Sequence, residues 1–209
     1  MKLVWCPDMA SKAFFDVVEL LSTNTPDEEG SGGGETGLAE LLAAMAGGWN
    51  SQCIVEILPV DKPSTSTATV ALSAAAVRTG GRHIRTFQSE EVTIEGMDFA
   101  VVDFERRDAV KVLREVRVGP RGAVLVSKNG RRCGGDLTSN SAGEWWGGVL
   151  MQGIRVVRSA YLPIGNGGVE IVHVGVGEGK SLPDRKKKIQ SRWIKHVDRV
   201  TGVEHVFRR

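Results

Sequence analysis

The amino-acid sequence predicts an α/β domain on a mostly parallel sheet that finishes in an antiparallel hairpin. Three observations lead there. Short apolar runs alternate with stretches of helical periodicity between residues 52 and 128, the pattern of strands buried on both faces by helices. Valine is 27 of 209 residues, a β-branched excess that suits strands. Beyond residue 150 the pattern changes to strand, turn and strand, twice over.

The elements follow in order. Pro7 suits a first helical position, and Ala10, Phe14, Val17, Val18 and Leu21 recur at helical spacing, so 7–22 is a helix. Residues 23–36 hold no apolar side chain and four acids, and are expected to be a flexible loop. A second helix covers about 37–46 through Leu38, Leu41, Leu42 and Met45, with Gly47-Gly48 as its stop. QCIVEIL (52–58) is a strand. The Ala-rich stretch 66–79 is a helix capped by Thr65 or Ser66. RHIRTF (82–87) and DFAVVDF (98–104) are strands, and 105–117 is an amphipathic helix ended by Gly119-Pro120. GAVLVSK (122–128) is a further apolar strand. Residues 154–164 and 169–176 form a hairpin around GNGG, and 191–197 with 203–209 form another. Between them 177–188 is a polar, basic connector, so the chain divides into a body, 1–176, and a basic extension, 177–209.

Composition excludes several classes. Hydrophobic residues at 41% and charged residues at 25% are ordinary for a globular protein, which excludes whole-chain disorder. No apolar run approaches the ~20 residues of a membrane span, and MKLVWCPDMASKAFFD has no leader-like h-region, so no membrane partner is expected. Cys6, Cys53 and Cys133 are odd in number and form no CxxC, which points to a reducing compartment, cytoplasmic or nuclear. The charge is uneven. Residues 180–209 carry ten Lys or Arg against three Asp or Glu, whereas 1–179 carry 17 against 22. A basic tail on an acidic body makes nucleic acid or an acidic protein a candidate partner, through Arg185-Lys186-Lys187-Lys188, Arg192 and Lys195; a solvated linker is the other explanation of such a run.

The order of elements resembles the class I S-adenosylmethionine-dependent methyltransferases, a Rossmann-like fold. Locally it is similar to the caffeoyl-CoA-type O-methyltransferases. Val102-Asp103-Phe104-Glu105-Arg106 stands where these have Val-Asp-Ala-Asp-Lys, Val118-Gly119-Pro120-Arg121-Gly122 where they have Val-x-x-Gly-Gly, and Leu162-Pro163-Ile164-Gly165-Asn166-Gly167 where they have Leu-Pro-x-x-Asp-Gly. MKLVW, ELLAAMAGGWN (40–50) and SRWIKHVDRVTGVEHV (191–206) resemble a plant family of unknown function within that superfamily.

The resemblance implies a transferase that binds S-adenosyl-L-methionine and a small-molecule acceptor. The first strand of such enzymes ends in an acid followed by glycines, which let the backbone approach the cofactor. Glu56 matches the acid, but Leu58 and Lys62 stand at the glycine positions and Pro59 stiffens the turn. Either Glu56, Asp61, Ser64 and Thr65 form a modified cradle, or this is a surface turn on a degenerate domain. The acid that holds the ribose hydroxyls is expected at the end of the second strand, and Glu90 is the nearest, two residues late. Asp103 matches a first metal ligand and would line the cofactor pocket. After the next strand Lys128 replaces the expected second acid, so no metal is expected. Lys128 would instead pair with Asp103, or lower the pKa of an acceptor hydroxyl. Trp145-Trp146 lie near the expected substrate mouth, as a stacking pair or as a loop anchor. No Ser/His/Asp constellation is visible.

One irregularity stands out. The superfamily has a helix, a strand and another helix between its second and fourth strands, whereas this chain has nine residues, 88–96. Nine residues span roughly 30 Å, enough to return along a ~20 Å strand and step over one neighbour. The third strand and its helices are therefore expected to be missing, through evolution or through a shortened splice form or gene model. That leaves 82–87 at a sheet edge, open to dimerisation or aggregation. Two functions stand: a methyltransferase of unknown substrate, favoured by the strand-end acids Glu56 and Asp103, and a non-catalytic binding module, favoured by the missing glycines.

Overall fold

A computed structural model describes residues 4–24, 33–59, 66–86, 94–128, 146, 150, 153–164, 168–177, 193–197 and 204–208. Three helices lead into the sheet or connect its first strands: α1 (Pro7–Asn24), α2 (Gly33–Gly48) and α3 (Thr67–Thr79). The central sheet holds β1 (Cys53–Ile57), β2 (Arg82–Thr86), β4 (Phe99–Asp103), β6 (Ala123–Lys128), β7 (Ile154–Leu162) and β8 (Val169–Val176), in the order β2-β1-β4-β6-β8-β7. β2, β1, β4 and β6 run parallel, while β8 lies antiparallel between β6 and β7. This is the predicted α/β architecture, with β2 at the edge of the sheet among the described residues.

The burial of each strand explains its place. β1 and β4 are buried along their whole length, as central strands must be, whereas β2 is exposed or half-buried throughout. Alternation along the strands sorts the core into two layers. Ile54, Phe99, Val101, Val124 and Val126 face α2 and α3. Val55, Ile57, Ala100, Val102 and Leu125 face the other side, against Ala109, Val112 and Leu113 of α4 (Ala109–Glu115). α1 packs outside α2 and α3 through small residues, with Ala13 against Ala39, Ala43 and Ala71. Gly47 makes that approach possible, because a Cβ there would lie 2.5 Å from the Cβ of Ala13.

α3 begins at Ser66, whose hydroxyl accepts from Thr69 N at 3.2 Å, and ends at Gly80 in the left-handed region at φ 67°. Both follow from the sequence.

Four expectations need correction. α1 runs to Asn24 and α2 starts at Gly33, so the proposed loop 23–36 is shorter than its composition implies, and 25–32 lie outside the described residues. From Leu38 onward α2 packs against α1 and α3. The helix expected over 105–117 starts only at Ala109, because Asp103, Arg106 and Asp108 hold the intervening turn by side-chain bonds. It ends at Glu115, where Val116 turns extended and opens β5 (Val116–Val118). The short connection also carries a strand, β3 (Ile94–Met97), which pairs parallel with β5. Ile94, Met97 and Val116 bury themselves beneath α4, so tertiary packing overrides the helical periodicity read from the sequence.

β9 (Trp193–Val197) and β10 (Glu204–Arg208) pair antiparallel as a two-stranded sheet, with His196 opposite His205. No helix among the described residues is long and apolar enough to cross a membrane.

Candidate functional site at the carboxyl ends of the strands

Open α/β sheets bind ligands outside the carboxyl ends of their strands, where the strand order reverses. Here the chain leaves β1 for β2 on one side and returns to β4 on the other, so that point lies between β1 and β4. Its connections also change face there, with α3 on one side of the sheet and α4 on the other.

Arg106, just beyond β4, reaches across this crevice. Its Nη1 donates to the carbonyls of Leu58 at 3.2 Å and Thr86 at 3.0 Å, at the ends of β1 and β2. Its Nε and Nη2 donate to the two carboxylate oxygens of Asp108, at 2.6 and 3.1 Å. The Arg106 side chain is 1% exposed. The bidentate pair neutralises a buried charge while the carbonyls satisfy its remaining face. Sequence reasoning missed Arg106, since an arginine two residues before an aspartate in a polar turn looks like any surface ion pair.

Glu56, read as the cofactor-binding acid, is buried in the layer between sheet and α3. Thr69 Oγ1 donates to its Oε1 at 2.9 Å, and its Oε2 lies 3.2 Å from His83 Nε2 and 3.7 Å from Arg85 Nε. His83 Nδ1 in turn shares a hydrogen bond of 2.9 Å with Ser73 Oγ. The carboxylate therefore ties α3 to the edge strand, and local pattern carries no sign of the Ser73–His83–Glu56 row, because its members are 10 to 27 residues apart.

Asp103 and Lys128 stand opposite each other in the register of β4 and β6. Asp103 is 8% exposed, and its Oδ1 accepts from Glu105 N at 3.0 Å, holding the turn into α4. On the other sheet face, Trp146 is fully buried, edge-on to Phe104, and donates its indole N–H to Glu170 Oε2 at 3.0 Å. Of the two readings of the tryptophan pair, the anchor describes Trp146; Trp145 lies outside the described residues. So do Asp61, Ser64, Thr65 and Glu90, together with Arg185 to Lys188 and Arg192.

The described residues do not fit an S-adenosylmethionine cradle. The acid at the end of β1 is turned inward, Leu58 is 8% exposed where a glycine would leave room, and a guanidinium lies over the ends of β1 and β2. No group of three or more His, Cys, Asp or Glu among the described residues is placed to hold a metal ion.

No curated protein matches the chain. Among solved structures it is similar to the one described as "Crystal structure of cofactor-bound Rv0187 from MTB", at 16% identity and a TM-score of 0.39, over 81% of this chain and 90% of that one. A family model matches residues 1–95 and 88–209, two parts that overlap at the connection between β2 and β3 and together span the chain. The chain belongs to the family described as "Protein of unknown function (DUF1442)".

Proposed function

We propose that the chain is a non-catalytic binding module on a methyltransferase-like fold, whose basic C-terminal extension takes an acidic partner. The observation that carries this reading is the placement of Glu56. The acid that the resemblance gives to the cofactor is spent on Thr69, His83 and Arg85, inside the protein. The charge surplus of residues 180–209, ten basic against three acidic, supports the second half. The enzyme reading keeps one supporting observation, the adjacency of Asp103 and Lys128 at the ends of their strands.

Calorimetric titration with S-adenosylmethionine and S-adenosylhomocysteine tests the first half: no binding is expected at millimolar ligand, and saturable binding would restore the enzyme reading. For the extension, affinity for duplex DNA should fall at least tenfold between about 50 and about 200 mM salt. Replacing Lys186, Lys187 and Lys188 by Ala should flatten that slope. Affinity indifferent to both removes the extension from the proposal.

A further inference from the structure

We infer that the ends of β1 and β2, together with Asp108, form a binding site for a planar guanidinium cation, and that Arg106 is its built-in occupant. This deepens the reading of the crevice given above, and it assigns to the crevice a ligand chemistry opposite to that of a cofactor cradle.

Four oxygens converge on one place: the carbonyls of Leu58 and Thr86 and both carboxylate oxygens of Asp108. All four are acceptors. A cofactor carboxylate or a phosphate would bring further acceptors and meet only repulsion there. A guanidinium brings five N–H groups in one plane, and Arg106 uses four of them on these oxygens. An ammonium brings the charge but has three donors and no plane, so it cannot serve the carboxylate bidentately and reach both carbonyls.

The three sources also explain why the site is built rather than accidental. Leu58 and Thr86 terminate neighbouring strands held in register by Ile57 opposite Thr86, and Leu58 N itself donates to Thr86 O at 3.3 Å. Asp108 stands at the entrance to α4, yet its side chain makes no helix-capping bond and is given to Arg106 instead. The charge it neutralises is almost wholly shielded from water, which makes the fit of the fork matter more than at a surface pair.

Chemical rescue in the full chain tests this. Arg106→Ala should lower Tm by about 5–10 °C. Methylguanidinium at tens of millimolar should then raise the Tm of the variant, by mass action, and leave the parent unmoved. Methylammonium at the same concentration should do neither. Absence of selective rescue in a folded variant overturns the site. Should Arg106→Ala not fold, Arg106→Lys decides: a Tm well below the parent's is expected, and a Tm equal to the parent's would show that charge alone suffices and overturn the planar site. Saturable S-adenosylhomocysteine binding by the parent would instead overturn the crevice reading under the proposed function. The two failures are thus told apart.

Discussion

Trp146 holds one oxygen of Glu170 at 3.0 Å, and neither side chain is more than 3% exposed. The other oxygen has no hydrogen-bond partner among the described residues. Burial raises the Glu170 pKa, and the indole N–H offsets only part of that rise. A raised carboxyl favours the folded state below its ordinary value near 4.5, and that contribution is lost as pH rises through the folded pKa. Glu170→Gln should therefore raise Tm by a few degrees at neutral pH, with the gap closing toward pH 4. Thermal melts from pH 4 to 8 check this, and a constant gap would show that ionisation of Glu170 is not the cause.

His173 works in the opposite window. Burial, then the charge of Arg158, lowers its pKa, and its ring stands edge-on to Trp49 at 5.2 Å. A lowered histidine contributes stability above its ordinary value near 6.5 and loses it as pH falls through the folded pKa. His173→Phe keeps the ring contact and should reduce acid sensitivity just below pH 6.5, measured by denaturant melts. An unchanged pH profile would assign that sensitivity elsewhere.

Asp98 is a structural carboxylate at the opposite end of the sheet. It accepts from Gln52 N and Cys53 N, at 2.9 and 3.1 Å, and pairs with Arg121. Asp98→Ala should cost about 3–5 kcal/mol, since it strands two backbone donors and a cation. Urea unfolding reads the loss directly; a cost near zero would mean that water replaces the carboxylate.

Hydrogen exchange should rank the strands. Amides of β4 and β6, buried along almost their whole length, should exchange only through global unfolding, and those of β2 orders of magnitude faster. Equal protection in a monomer would mean that another segment covers the edge, and equal protection in a dimer that a second copy does.

The sheet was legible because its strands are short, valine-rich and bounded by turn residues. QCIVEIL, DFAVVDF and GAVLVSK each fall within two residues of a strand of the structure. The smaller β3–β5 pair was not, since Ile94–Met97 is four residues long and Val116–Val118 continues a helical pattern until it meets a partner. The site was legible only as positions. Glu56, Asp103 and Lys128 were found at strand ends, but the direction of Glu56 depends on Thr69 and His83, which local pattern cannot bring to it. Arg106 was hidden for the same reason, because the two carbonyls it holds are 20 and 48 residues away.

The Glu56 row also constrains how the sheet assembles. β1 is second in the order of the sheet and has partners on both sides, with Val55 between Ile84 and Ala100. A slip of one residue would carry Glu56 to the face of Val102, Leu125 and Leu113, which offers a carboxylate nothing. It would also leave His83 and Arg85 without the charge they share. An apolar residue at position 56 would tolerate either register nearly equally in a strand buried on both faces. The single carboxylate thus acts as a proofreading mark: misaligned chains pay a desolvation penalty that the aligned chain escapes.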